Sequence, residues 1–290
     1  MNENPSTGRI QEPGITHANL SPQKLREMIR EGEWRYRDTA GLAGGYLQAG
    51  FVCLPKKYAF DFFLFCQRNP APQPLLEVLE PGETEPKELA PGADIRTDVS
   101  GYRVWHNGEI VSVVPNIVDY WRDDLVTFFS GGSFSFDADL LAAGVELRHV
   151  QKTEQIGTYG TNIPCRPAGI FSGPLVVSMR PIPWQYVVPA VEITSQLPEG
   201  HGAPVWIGDP KSIGVDLDHP FTGTGLSVRE DEVPVFWACG DTALLAAKLA
   251  KVDFMLSYVD AGVFVTDIPL PAGKRSHWPW IRRSSNQVTG

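Results

Sequence analysis

The sequence predicts an α/β fold of the mixed α+β kind, on three observations. The chain of 290 residues is 42% hydrophobic and 20% charged, which is globular and supports a substantial core. Strand-like and helix-like runs mix along its whole length. Glycine (28) and proline (25) are both abundant, as expected for many short elements joined by defined turns rather than a helical bundle.

In order, residues 1–19 are polar and read as a flexible segment. "SPQKLREMIREGEW" is a helix capped by Ser21, with Pro22 in its first turn and Leu25, Met28 and Ile29 on one face. "YLQAGFVCLP" is a strand ending at Pro55. "YAFDFFLFCQRNP" is a buried helix stopped at Asn69-Pro70. "PLLEVLEPG" is a strand and turn. "YRVWHNGEIV" is a hairpin, because Asn107-Gly108 favours a type I′ turn. "IVDYWRDDLVTFF" has helical spacing, and "ADLLAAGVELRHV" reads as helix, Gly144 stop, strand. "GPLVVSMRPIP" and "VVPAVEITSQLP" are β-branched runs expected as buried strands, with further strands in "APVWIGDP" and "VPVFWACGD". "TALLAAKLAKVD" is the clearest helix, with Asp241 or Thr242 as cap, and "AGVFVTDIPLP" is the last strand. A polar tail follows over 272–290.

Composition excludes several classes. A net charge of −9 repels nucleic acid and anionic membrane, and no basic patch offsets it. The N-terminus has no signal-peptide pattern, and no apolar run is long enough to span a bilayer. Cys53, Cys66, Cys165 and Cys239 form no C-x-x-C, so neither structural zinc nor a disulfide framework is expected. The expectation is a cytoplasmic protein acting on a small molecule, without metal or cofactor, its oligomeric state open.

Several stretches carry chemistry. "FFSGGSFSFDADLLAAG" resembles a nucleophile elbow at Ser133, but Ser135 stands where its last glycine belongs. No lysine follows to make a phosphate loop. A helix N-terminus offering N–H groups to an anion remains, and close packing explains the glycines equally well. Cys239 lies at a strand end before a helix, where a thiol is activated or simply buried. His201 sits between two glycines, a candidate general base. Arg96, between Asp94 and Asp98, suits a carboxylate clamp or a structural ion pair. Arg148-His149, Asn162 and Arg180 stand in apolar or small surroundings, and a buried arginine requires a partner.

Taken together, "AFDFFLFCQRNP…PLLEV", "GADIRTD", "YRVW…GE", "SFSF", "LRHV", "TNIPC…PAG", "GPLVVSMRPI", "HGAPV…IG" and "VPVFWACG" resemble the D-glutamate cyclase family, whose bacterial members are called putative hydro-lyases. The resemblance spans about Gln48 to Asp267. It implies a three-layer α/β/α part plus a smaller two-layer α/β part. Residues 20–271 would form one unit of two packed, discontinuous subdomains, roughly 96–195 being the second. It also implies closure of D-glutamate to 5-oxo-D-proline with loss of water. That chemistry needs the α-carboxylate held, the amine neutral and the leaving oxygen activated.

The chain departs from the family pattern at chemically active positions. Gly132 stands for a cysteine, Gly160 for an arginine, and Trp206, Tyr258 and Gly262 for histidines. Asp260 stands for a proline, and Asp241-Thr242-Ala243-Leu244 for Val-Thr-Pro-Gln. These replacements imply a remodelled pocket, wider at its glycines, more aromatic at Trp206 and Tyr258, and turned to a substrate other than D-glutamate. The candidate catalytic residues are His201, Cys239, Asp241 and Asp260. The candidate substrate-binding residues are Arg96, Ser133, Arg148, Asn162, Trp206 and Tyr258. A hydro-lyase or cyclase competes with a silent binding homologue that keeps the pocket; a serine hydrolase at Ser133 lacks a readable partner. Two or more titratable groups gathered at one place separate the first reading from the second.

Overall fold

The computed structural model describes residues 19–151 and 154–270. The expectations for residues 1–18 and for the tail from Ala272 fall outside the described residues. Two antiparallel sheets, mixed with helices, make up the fold, so the class is α/β of the mixed kind.

The first sheet is built around β1 (Tyr46–Pro55), which is buried over nearly its whole length. On one side it pairs with β5 (Leu125–Gly131), Phe51 lying opposite Phe129. On the other it pairs with β11 (Phe264–Pro269) and then β10 (Met255–Tyr258). Beyond β10 come β3 (Tyr102–His106) and β4 (Glu109–Val114); beyond β5 comes β2 (Leu75–Val78). The β3–β4 turn has Asn107 at φ 51° and Gly108 at φ 79°, the left-handed pair a type I′ hairpin requires. Helix α1 (Pro22–Glu31) begins as expected, Ser21 Oγ accepting from Lys24 N at 3.2 Å. Its buried Arg26 ties it to β11 through Asp267 at 2.9 Å and Val265 O at 2.7 Å. Helix α2 (Lys56–Arg68) packs Phe62 edge-on to Phe128 and Phe171, with centroids 4.8 and 5.1 Å away.

The second sheet has the order β6 (Thr158–Pro164), β7 (Pro174–Pro183), β9 (Glu232–Ala238), β8 (Trp206–Ile207). One core packs Phe136 and Leu140 from the region of α3 (Asp137–Ala142) and Ala190 of α4 (Val187–Ser195) against Ile182, Val235 and Trp237. Another contains Tyr159, Val177, Met179 and Phe236. Alternate residues of β7 enter these different surroundings, as strand geometry demands. Helix α5 (Asp241–Leu249) joins the two halves. Ala243, Leu244 and Ala247 belong to the first sheet's core, while Thr242 Oγ1 accepts from Val176 N of β7 at 3.0 Å.

Three local expectations are corrected. Residues 117–129 give a 3-10 turn (Val118–Tyr120) and then β5, not a helix. A strand buried on both faces shows no two-residue alternation, so periodicity cannot separate it from a helix. "VVPAVEITSQ" is α4 and not a strand: Pro189 falls in the first turn, where no N–H is needed, and Thr194 Oγ1 donates back to Ala190 O at 2.8 Å. Val145 and Leu147 are buried but form no strand; Gly144 ends α3 at φ 89° and the chain turns again at Val150, whose N donates to Leu147 O.

Candidate active site

The two sheets meet where α5 begins. Gly240 is the N-cap of α5 and Asp241 its first residue, a favourable place for a carboxylate. Asp241 does not cap the helix with its side chain. Its Oδ1 accepts from Tyr258 OH at 2.8 Å, and its Oδ2 accepts from Thr222 Oγ1 at 2.8 Å and Thr158 Oγ1 at 3.0 Å. Three hydroxyls from β10, β6 and the loop before β9 thus converge on one buried carboxylate. Tyr258 lies against two glycines: a Cβ on Gly50 would meet its ring at 2.9 Å, and one on Gly240 its hydroxyl at 3.4 Å. Gly50, Gln73, Ser130, Gly240 and Tyr258 line a crevice with room for no more than a single water molecule. Gln73 Nε2 donates to Gly240 O at 2.9 Å, and Gln73 Oε1 accepts from Ser130 Oγ at 3.0 Å.

Burial, and next the Asp241 charge, push the Tyr258 phenol and the Cys239 thiol well above their ordinary values. Both keep their protons at neutral pH. Cys239 is therefore a poor nucleophile despite its place before a helix, and both groups are proton donors.

Arg180 lies at the other end of the junction, on β7, with no exposed surface. Its Nη2 donates to Asp137 Oδ1 at 3.0 Å and Ser133 Oγ at 3.1 Å. The rings of Phe136 and Trp237 lie 4.9 and 5.5 Å from its Cζ. Asp137 Oδ2 accepts from His149 Nε2 at 2.8 Å. Burial alone would raise the Asp137 carboxyl, but the Arg180 guanidinium and then His149 hold it below its ordinary range. The Arg180 charge also reaches Cys239 and His201.

His201 is buried in a left-handed conformation at φ 79°, uncommon for a side-chain-bearing residue and frequent at functional positions. Its Nδ1–H donates to Ala71 O at 2.9 Å, which leaves the Nε2 lone pair free to take a proton. Burial, and to a lesser extent Arg180, lower its pKa to about 4, so the ring is neutral at ordinary pH. The turn carrying it explains the glycines before Ser133. A Cβ on Gly131 would come within 1.7 Å of Glu199 O. The Gly131 and Gly132 amides are spent on Pro74 O (3.0 Å) and Gln48 O (2.8 Å). The stretch is a close-packed corner leading to a 3-10 turn (Ser133–Phe136) and the six-residue α3, and Ser133 itself contacts Arg180.

The structure thus brings Cys239, Asp241 and Tyr258 together and sets Ser133 on Arg180, whose charge also reaches His201. Arg148 lies beside Arg180 and His149 along a crevice too tight to admit a water molecule, and is engaged by Glu232 at 2.6 Å and Glu154 at 3.2 Å. Other candidates lie elsewhere. Arg96 forks onto Asp94 at 2.7–3.1 Å, Asp260 is half exposed and paired with Arg103, and Asn162 is exposed beside Gly214. Trp206 is 36% exposed on an edge strand, its Nε1 donating to Asp209 O at 3.0 Å. Of the positions expected from the resemblance to be replaced, Tyr258 lies in the junction and Gly132 at the corner that leads to Ser133. A side chain on Gly160 would meet open space, whereas one on Gly262 would meet Ser100 Oγ at 2.4 Å. Asp137, Ser178, Thr158 and Thr222 were not singled out in the sequence. For Ser178 and Arg180 the signal was present in "SMRP", two polar residues on one face of an apolar strand.

Among the described residues, no helix is long and apolar enough to cross a membrane. Comparison with known proteins places the chain among relatives that match most of its length. A "Putative hydro-lyase" of Stutzerimonas stutzeri (strain A1501) is 50% identical over 253 residues, 87% of this chain and 95% of that protein. Proteins of the same name from Syntrophobacter fumaroxidans and Bacillus pumilus are 47% and 45% identical, over 86% and 87% of this chain and 95% of each relative. A nitrogen repressor-like protein from Methanococcus jannaschii superimposes with a TM-score of 0.37 at 13% identity, covering 83% of this chain and 93% of that one. The D-glutamate cyclase family model matches residues 126–267, which contain β5, the Arg180 surroundings and the Asp241 cluster. The chain belongs to the D-glutamate cyclase family of hydro-lyase-like proteins.

Proposed function

We propose that this protein is a hydro-lyase-type enzyme that removes or adds water, or closes a ring with loss of water, on a small carboxylate- or amino-acid-like molecule other than D-glutamate. The observation that carries the reading is the gathering of Asp241, Tyr258 and Cys239 at one end of the junction, with neutral His201 near Arg180 at the other. Loss of water needs a base for the proton leaving carbon or nitrogen, an acid for the departing oxygen, and a positive group for the carboxylate. His201 Nε2 is unprotonated and suited to the first task. Cys239 keeps its proton for the second, while the one proton of the Tyr258 hydroxyl is given to Asp241. Asp241 orients the Tyr258 hydroxyl and carries negative charge at that end.

A substrate other than D-glutamate is supported by the replaced positions. Tyr258, which the resemblance reads as standing for a histidine, fills the space over Gly50 and Gly240, and Gly132, read as standing for a cysteine, lies at the corner that leads to Ser133. The test is incubation of the purified protein with D-glutamate and, separately, with a panel of small hydroxy, amino and unsaturated acids, followed by mass spectrometry for loss or gain of one water. The reading expects turnover of at least one panel member and no 5-oxoproline above the uncatalysed rate. Rapid 5-oxoproline formation would overturn the changed substrate, and an inert panel would overturn the enzyme.

A further inference from the structure

Asp241 is 5% exposed, and the crevice past Tyr258 admits no more than one water molecule. A substrate therefore reaches this carboxylate only if something covering it moves. On the Oδ2 side the cover is one residue deep. Thr222, whose hydroxyl donates to Oδ2 at 2.8 Å, is itself partly exposed. It belongs to the chain between Val215 and Leu226, which are both buried in the core that contains Tyr159 and Phe236. None of residues 216–225 between these anchors is buried, and none lies in a helix or strand; Thr222 makes an isolated bridge with Thr158. Irregular segments tethered at both ends over reactive groups are where active-site lids are found.

The bonds that hold this segment down are few and meet at one point. Phe221 N donates to Thr158 O at 2.6 Å, Thr158 N donates to Thr222 O at 3.0 Å, and Thr222 Oγ1 donates to Asp241. Among the described residues, the other hydrogen bonds of 216–225 stay inside it, joining Asp218 and His219 to Asp216. The chain beyond Leu226 is tied by charge instead: Glu154 accepts from Ser227 N at 2.9 Å, and Arg229 pairs with Glu146 at 3.0 Å. Beneath the segment one group resists closure. Tyr159 is 1% exposed, and its hydroxyl lies 2.6 Å from where a Cβ on Gly225 would stand. That hydroxyl has no hydrogen-bond partner. A phenol sealed from water without an acceptor favours the state in which water reaches it.

We propose that residues 216–225 form a strap that lifts from Asp241 Oδ2 to admit the substrate, with the Thr222 hydroxyl as its latch and the buried Tyr159 hydroxyl as the group that favours opening. This rests on the reading of the junction as an enzyme's site, and it gives that closed site an entrance. The experiment is residue-resolved amide hydrogen exchange by NMR on the full chain at pH 7, without ligand, in water and in low urea. The reporters are the Thr158 and Phe221 amides, which strap opening frees, and the reference is the β7 amides bonded to β9. Both reporters should be about tenfold or more less protected than the reference and nearly insensitive to urea, because lifting a strap exposes little surface. Thr222→Val should speed both about threefold or more, Thr222→Ser should stay within about twofold of the parent, and Tyr159→Phe should slow both about threefold or more. Reporters that exchange only with β7 and with its urea dependence, no acceleration in Thr222→Val, or no slowing in Tyr159→Phe overturns the strap. Should Thr222→Val fail to fold, Tyr159→Phe decides. Opening of this kind without turnover of any acid would leave the strap standing and sink the proposed reaction. Turnover by a chain whose reporters exchange only with β7 would do the reverse.

Discussion

At the scale of single residues, His201 is the most informative side chain. Its pKa of about 4 lies below the ordinary 6.5 because burial penalises the charged ring. Between those values the unfolded chain binds a proton that the folded one refuses. Stability therefore falls as pH drops from 6.5 towards 4, by about 3 kcal/mol in all. Asp137 acts lower on the scale: its depressed pKa gives stability that is present above the unfolded carboxyl value and lost as pH falls through the folded one. His201→Asn separates the two, since asparagine tolerates the left-handed backbone. Urea denaturation across pH 4–7 should show a flatter decline for this variant than for the parent. An unchanged slope would mean that His201 is not the buried neutral group described.

At the scale of elements, glycines divide into those required by packing and those that are spare. Gly131 meets the Glu199 carbonyl so closely that Gly131→Ala must displace the turn carrying His201. It should lower stability by about 2–4 kcal/mol in urea denaturation, as other overpacking and backbone-strain changes do. Gly160 has no atom within 4 Å of its Cβ position and no positive φ, so Gly160→Ala should stay within about 0.5 kcal/mol of the parent. Equal effects of the two substitutions would contradict the close-approach account. The same scale shows what was legible in the sequence. α1, α2, α5, β1, β7 and the β3–β4 hairpin carry their own signals: a capping serine, a proline stop, an Asn-Gly turn, helix-forming composition. β5 and α4 did not, because burial on both faces erases alternation, and because tertiary packing in α4 overrides the strand preference of Val, Ile and Thr. Short β6 and β10 have no flanking turn chemistry strong enough to mark them.

At the scale of the whole molecule, the site is a junction and not a motif. Thr158 and Asp241 are 83 residues apart, Ser133 and Arg180 47, and Gln73 and Ser130 57. No linear window displays such pairs, so the sequence could nominate Cys239, Asp241 and Tyr258 singly but not show that they gather. It could also not show that Arg96 and Asp260 are spent on local ion pairs with Asp94 and Arg103. Arg180 was visible only as a charge inside an apolar strand, and its partners Asp137 and Ser133 could be named only from the structure. Family membership adds a hydro-lyase-like function, and the proposed change of substrate rests on the reading of the junction.

The central claim is that the chemistry takes place at this junction. The most direct measurement compares kcat/KM, on whichever acid the panel shows to be turned over, for the parent, Asp241→Asn and Asp260→Asn. Asp241→Asn keeps the size of the side chain but removes the charge that orients Tyr258, whereas Asp260 lies outside the junction. The account predicts a loss of about 10²-fold or more for Asp241→Asn, in the range of acid–base groups, and less than about threefold for Asp260→Asn. Full activity in Asp241→Asn, or an equal loss in both variants, would contradict it.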